Sequence, residues 1–203
     1  MEKPTNTPAT AEVAEGVSVG IVKTDGMRQR AAKPILNIIQ RKTGLKIVNC
    51  RVIQATREQI LAHYNKDEKW LIAVGERIIK LQNKEAEVKR GDQSFKTVAM
   101  QHGQKVLDDL VRYMTDGRIA VFAFQGPNAV PALKEITGAT EPVSAAEGTI
   151  RKTFGDDSYA KAATENRVLY NTFHCSENDQ EAEREYNIWF DERSCEVKLP
   201  FKK

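Results

Sequence analysis

The tightest constraint in this sequence is the run Arg118–Phe124, RIAVFAF, which is apolar at every position after the arginine. A stretch this short and this continuous has no face to offer water, so it reads as a strand buried inside a sheet. A second such run, Val17-Ser18-Val19-Gly20-Ile21-Val22, is rich in β-branched residues and passes straight into the polar turn Lys23-Thr24-Asp25-Gly26. Leu45–Gln54 and Val168–Phe173 complete four predicted strands.

Helical patterns fill the spaces between them. Ala31–Thr43 carries Ile35, Ile38 and Ile39 on one face and stops at Gly44. Thr56-Arg57-Glu58-Gln59 has capping-box spacing and opens a short helix ending near Tyr64. Trp70, Leu71, Val74, Ile78 and Leu81 predict a helix over about 68–83, and Gln104–Met114 predicts another. Lys84–Lys96 is dominated by charge and reads as an exposed connection. After the third strand a helix runs to about Thr137, and Asn178-Asp179-Gln180-Glu181 has the chemistry of a helix start, with Ala182, Tyr186 and Trp189 on one side. The order predicts an α+β protein, an α/β sandwich with helices packed on one face of a mostly antiparallel four-stranded sheet.

Composition narrows the class. The 203 residues suffice for a real core, and 31 Lys+Arg against 28 Asp+Glu leave a charge of only +3, too little to argue for a nucleic-acid or membrane partner. Three widely spaced cysteines, Cys50, Cys175 and Cys195, form neither a CxxC pair nor a disulfide framework. No apolar run approaches the length of a membrane helix, and a cytoplasmic protein is the expectation. Residues 1–16 lack large apolar groups and read as a disordered tail ahead of one domain over 17–203.

The phosphate loop GxxxxGK[ST], GxGxxG, HExxH and GxSxG are all absent. Of three histidines, His63 and His102 fall near the ends of predicted helices and read as surface or capping residues. His174 follows a strand and precedes a helix, where side chains are presented to ligands. Glu185, inside that helix, can fold back and hold one ring nitrogen, leaving the other as a nucleophile. A solvated loop histidine is the plainer alternative on local sequence alone. Cys50 and Cys175 read as small filling residues, the latter in a turn.

Six segments occur in a telling order: Lys23-Thr24-Asp25-Gly26, His63-Tyr64, Gly138-Ala139-Thr140-Glu141-Pro142, Gly148-Thr149-Ile150-Arg151, Asn171-x-x-His174-x-Ser176, and Glu181–Glu185 with Trp189-Phe190. Together they resemble the nucleoside diphosphate kinases, whose segments are K-P-D-G, H-Y, G-x-T-x-P, G-T-I-R, N-x-x-H-G-S-D and A-E-x-E-I-x-x-W-F. The resemblance covers about 17–190 and implies a ferredoxin-like fold, with insertions at about 65–100 and 155–166. It implies transfer of the terminal phosphate of ATP or another nucleoside triphosphate to a nucleoside diphosphate, by a ping-pong route through phosphohistidine on His174. Glu185 and Ser176 would support that ring, and Lys23 and Tyr64 would lie near the transferred phosphate. Arg151, Thr140 and Lys134 would bind the phosphate chain, and Asn171 a sugar hydroxyl. Mg²⁺ would be held by the nucleotide phosphates, with no metal site on the protein. A homo-oligomer, a dimer-based tetramer or hexamer, is also implied. Lys134 stands where the family usually has arginine and cannot make its bidentate fork. Leu107 stands near the family's base-stacking aromatic. These departures leave open a second reading, a catalytically weak or inactive nucleotide-binding module on the same fold.

Overall fold

The computed structural model describes residues 15–84 and 94–190. The elements in chain order are β1 (Glu15–Val22), α1 (Thr24–Arg28), α2 (Ala32–Thr43), β2 (Lys46–Ile53), α3 (Arg57–Tyr64), α4 (Glu68–Leu81), α5 (Phe95–Thr115) and β3 (Ile119–Pro127). They continue with α6 (Ala129–Thr137), a 3₁₀ turn at Pro142–Ser144, α7 (Ile150–Phe154), α8 (Tyr159–Thr164), β4 (Phe173–Cys175) and α9 (Asp179–Trp189).

The four strands form one antiparallel sheet in the order β2-β3-β1-β4, the ferredoxin-like α+β arrangement the sequence predicts. Helices cover both of its faces, however, and not the single face expected. The alternation along β3 shows why. Ala120, Phe122 and Phe124 join Ile35, Ile39, Leu133, Ile150 and Phe173 in one core. Ile119, Val121 and Ala123 join Ile60, Val111, Met114 and Trp189 in the other. A strand whose side chains are apolar in both parities needs two covers. Each fully buried Ile, Leu or Phe contributes about 1.5–3 kcal/mol, so both layers hold the sheet.

Three boundaries depart from expectation. Glu15 and Gly16 pair with Pro127 and Gly126 in the sheet, so β1 starts inside the expected tail; residues 1–14 lie outside the described residues. Much of Lys84–Lys96, read as a connection, also lies outside them, and α5 starts at Phe95, with the Ser94 hydroxyl accepting from Thr97 N–H. The last strand is Phe173–Cys175 and not Val168–Phe173; it carries Cys175, expected in a turn, opposite Gly20.

The helix α4 lies antiparallel against the first half of α5, and two glycines let the backbones touch. A Cβ on Gly75 would sit 1.7 Å from the Ala99 carbonyl oxygen, and one on Gly103 would sit 1.9 Å from that of Leu71. The second stretch expected as an insertion meets the first: the Arg77 guanidinium of α4 stacks over the Tyr159 ring of α8 at 5.3 Å. Gly75→Ala must push the two helices apart. It is expected to cost about 1–3 kcal/mol and to lower the melting temperature by about 2–4 °C per kcal/mol, read by calorimetry.

Candidate active site

The C-terminal ends of β1 and α3, the start of β4 and the middle of α9 converge on one point. His174 is the second residue of β4 and lies opposite Ile21 of β1. Its ring Nε2 is 2.9 Å from Glu185 Oε1. The Ser176 hydroxyl donates to Glu185 Oε2 at 2.7 Å, and Ser176 Oγ also accepts the Val19 N–H at 3.0 Å. Serine and strand together fix the carboxylate, and the carboxylate fixes the imidazole. Nε2 then carries the proton, and Nδ1 has no hydrogen bond among the described residues.

The electrostatics keep that ring neutral. Burial comes first, and the cations Lys23, Arg151 and Lys66 add to it, holding the His174 pKa well below that of an ordinary histidine. Burial pushes the Glu185 carboxyl up, while His63 and the Ser176 hydroxyl pull it back. Lys23, 6% exposed, donates from Nζ to Asn171 Oδ1 at 2.7 Å. Its pKa falls to about 8, through burial and then Arg151. Arg151, on α7, donates from Nε to the Phe173 carbonyl at 3.0 Å and from Nη1 to the Gly138 carbonyl at 3.1 Å. The amide of Asn171 donates to the Thr140 carbonyl at 2.9 Å. The Tyr64 hydroxyl is buried with no partner among the described residues, and burial keeps it un-ionised.

The structure thus brings together His174, Glu185, Ser176, Lys23, Asn171 and Arg151, with Thr140 held through its backbone. Lys134, on α6, pairs with Glu177 at the surface. Leu107 is buried within α5, only 7% exposed, and has little face to offer a ligand.

His63 is the correction. Expected at the surface, it is 2% exposed and packs edge-on against His174, with ring centroids 4.5 Å apart. Its Nδ1 accepts the Trp189 indole N–H at 3.2 Å and lies 3.7 Å from Glu185 Oε1. Arg184, the neighbour of Glu185 on α9, donates to the His63 carbonyl at 2.6 Å and so clamps the end of α3. The signal in the sequence was the i, i+3 pairing of Ile60 with His63, which puts both on the inward face of α3. His63, His174 and Glu185 bring ligand atoms within 4.8 Å of one another. The indole N–H on His63 and the imidazole N–H on Glu185 already occupy this group, making it a hydrogen-bonded cluster.

Burial also lowers the His63 pKa, with His174 as the next cause. Both rings are neutral in the folded protein, while the unfolded chain takes up protons near 6.5. Below that pH the unfolded state holds more protons, so stability falls as pH falls from 6.5. The raised Glu185 carboxyl works in the opposite sense, from its ordinary value of 4.5 up to its raised one. Thermal melts from pH 7 to pH 5 are expected to show a declining midpoint, and His63→Gln is expected to flatten the decline.

The sequence model of the nucleoside diphosphate kinase family matches residues 74–195. The nucleoside diphosphate kinase of Pyrobaculum aerophilum is 34% identical over 175 residues, spanning 85% of this chain and 93% of that relative. A crystal structure of an NDP kinase from the same organism superposes with a TM-score of 0.78 at 31% identity, covering 89% of this chain and 98% of that one. A transition-state mimic of the Borrelia burgdorferi enzyme, with bound vanadate and ADP, shares the fold at a TM-score of 0.68 and 23% identity, covering 93% of each chain.

Proposed function

The chain belongs to the nucleoside diphosphate kinase family and is a phosphotransferase, and from that premise we propose that the phosphoryl group passes through Nδ1 of His174. The activity is transfer of the terminal phosphate of a nucleoside triphosphate to a nucleoside diphosphate. The observation that carries the residue assignment is the pair His174 Nε2–Glu185 Oε1 at 2.9 Å, which leaves Nδ1 with its lone pair and no proton to lose.

In the first half-reaction Nδ1 bonds to the γ-phosphorus while the bond from phosphorus to the bridging oxygen breaks, and the diphosphate leaves with the electron pair. As Nδ1 gives up its pair, positive charge develops on the ring at Nε2–H. That charge faces the Glu185 carboxylate, itself held by Ser176. Stabilisation at the place where charge appears is the larger part of such catalysis. In the second half-reaction a terminal oxygen of the acceptor diphosphate attacks phosphorus and the N–P bond breaks. Lys23 and Arg151 supply cations for the spread negative charge of the loose transition state. The Tyr64 hydroxyl, without a partner among the described residues, would supply a donor, and Asn171, bonded to Lys23, would take the sugar hydroxyl.

The resemblance implies Mg²⁺. The one three-residue cluster of metal-binding side chains among the described residues contains two imidazoles, whereas Mg²⁺ takes oxygen ligands. The ion would enter on the nucleotide phosphates and there neutralise their charge. Lys134 and Leu107 are placed at the periphery of this reading, and Thr140 contributes through its carbonyl.

Protein incubated with ATP labelled at the γ-phosphate is expected to retain acid-labile, base-stable label. His174→Ala should abolish it, and Glu185→Gln should slow labelling on the order of 10²–10⁴-fold. Wild-type protein that stays unlabelled would overturn the assignment.

We also infer assembly into a homo-oligomer. The outer strand β2 leaves two apolar side chains in water, Val48 at 43% and Val52 at 55% exposure. Light scattering is expected to give a mass of several chains, reduced by Val52→Lys. No helix among the described residues is long and apolar enough to cross a membrane.

A further inference from the structure

Immediately before His174 the chain makes a turn that its own sequence disfavours. The Phe173 N–H donates to the Asn171 carbonyl at 2.5 Å, closing three residues around Thr172. Thr172 sits at the centre with φ +61°. A β-branched residue rarely takes a left-handed backbone, and such a conformation persists only where its surroundings over-determine it.

The surroundings here are mainly one carboxylate. Asp25 Oδ2 accepts the Thr172 N–H at 2.9 Å and faces the Thr172 hydroxyl at 3.2 Å. That hydroxyl also lies 3.3 Å from the Phe154 carbonyl. The other oxygen, Oδ1, accepts the hydroxyl of Tyr113. Tyr113 is buried in α5 and stacks on Tyr170 at 5.0 Å. The backbone N–H of Lys23 donates to the Thr172 carbonyl at 2.8 Å, so the turn is held at both its N–H and its C=O. Thr172 itself is fully buried.

What hangs on this turn is the chemistry. Asn171 reaches Lys23 and Thr140, the Phe173 carbonyl receives Arg151, and His174 follows. Were Thr172 to relax to negative φ, the peptides on either side would rotate and carry Asn171 and His174 apart.

We propose that Asp25 is a positioning residue: its carboxylate, anchored by Tyr113, holds Thr172 in the left-handed turn and so sets where the His174 ring meets phosphate. The proposal rests on His174 as the phosphorylated residue. Asp25 touches no reacting atom, and its effect runs through backbone conformation alone. A glycine at 172 takes positive φ without side-chain strain, so it should make the tether dispensable.

The test is a double-mutant cycle on the full chain, read as the single-turnover rate of histidine phosphorylation by ATP. In the wild-type background Asp25→Ala is expected to slow that rate on the order of 10- to 100-fold, the effect of about an ångström of misplacement. In the Thr172→Gly background the same change is expected to cost no more than about threefold, a coupling that independent sites do not show. A loss of mere folding stability would instead lower the melting temperature equally in both backgrounds without this rescue. Should Asp25→Ala fail to fold, Asp25→Asn replaces it in the same cycle. Equal losses in the two backgrounds, or no loss in either, overturn the proposal. Wild-type protein that takes no label at all would instead remove the premise about His174.

Discussion

A carboxylate almost wholly withdrawn from water is the constraint around which this molecule is arranged. Glu185 exposes 2% of its surface, and an unpaired charge there would be expelled or protonated. Its neighbours in the chain supply compensation. β4 brings the His174 ring, and the loop after it brings the Ser176 hydroxyl. Ser176 is in turn pinned to Val19 of β1, the strand that pairs with both β3 and β4. The cost of burying the acid is therefore met by groups the sheet cannot move without breaking its own pairing. That is what makes the imidazole a fixed object.

The cations follow from the same geometry. Lys23 lies one residue beyond β1 and is buried; Arg151 projects from α7 onto backbone carbonyls on either side of the site. Two cations near one neutral imidazole repel a proton from it and attract phosphate toward it. The arrangement thus selects the nucleophilic form of the ring and the polyanionic partner by one field.

Much of this was legible in the residues. The strands were marked by their β-branched runs, and the Glu185–His174 contact followed from a strand–turn–helix order that returns the helix over the strand. The illegible parts share a cause in tertiary packing. Val168–Thr172 looks like a strand by composition, yet positive φ at Thr172 breaks the extension and leaves only Phe173–Cys175 to pair. The first half of α5 carries Thr97, Val98 and Gly103, poor helix residues. Gly103 makes sense only beside the Leu71 carbonyl. His63 ends a short helix, where a histidine ordinarily caps; nothing local announces the indole of Trp189 waiting for its ring nitrogen. The uninterrupted apolar run of β3 marked it as buried, yet the order of elements led to an expectation of helices on one face, and the alternation of its side chains between two cores corrects that.

The helix α5 has 21 residues and so is about 31 Å long. Its first half is locked backbone-to-backbone against α4, and its last turns carry Val111, Tyr113 and Met114 beneath the sheet. A rod clamped along one half and embedded at the other end transmits displacement instead of absorbing it. The hydroxyl that leaves this rod at Tyr113 ends on Asp25. The outlying hairpin and the turn before the histidine are therefore parts of one mechanical linkage. A residue far out along α4, remote from any phosphate, is thus joined to the turn before His174 by an unbroken series of contacts.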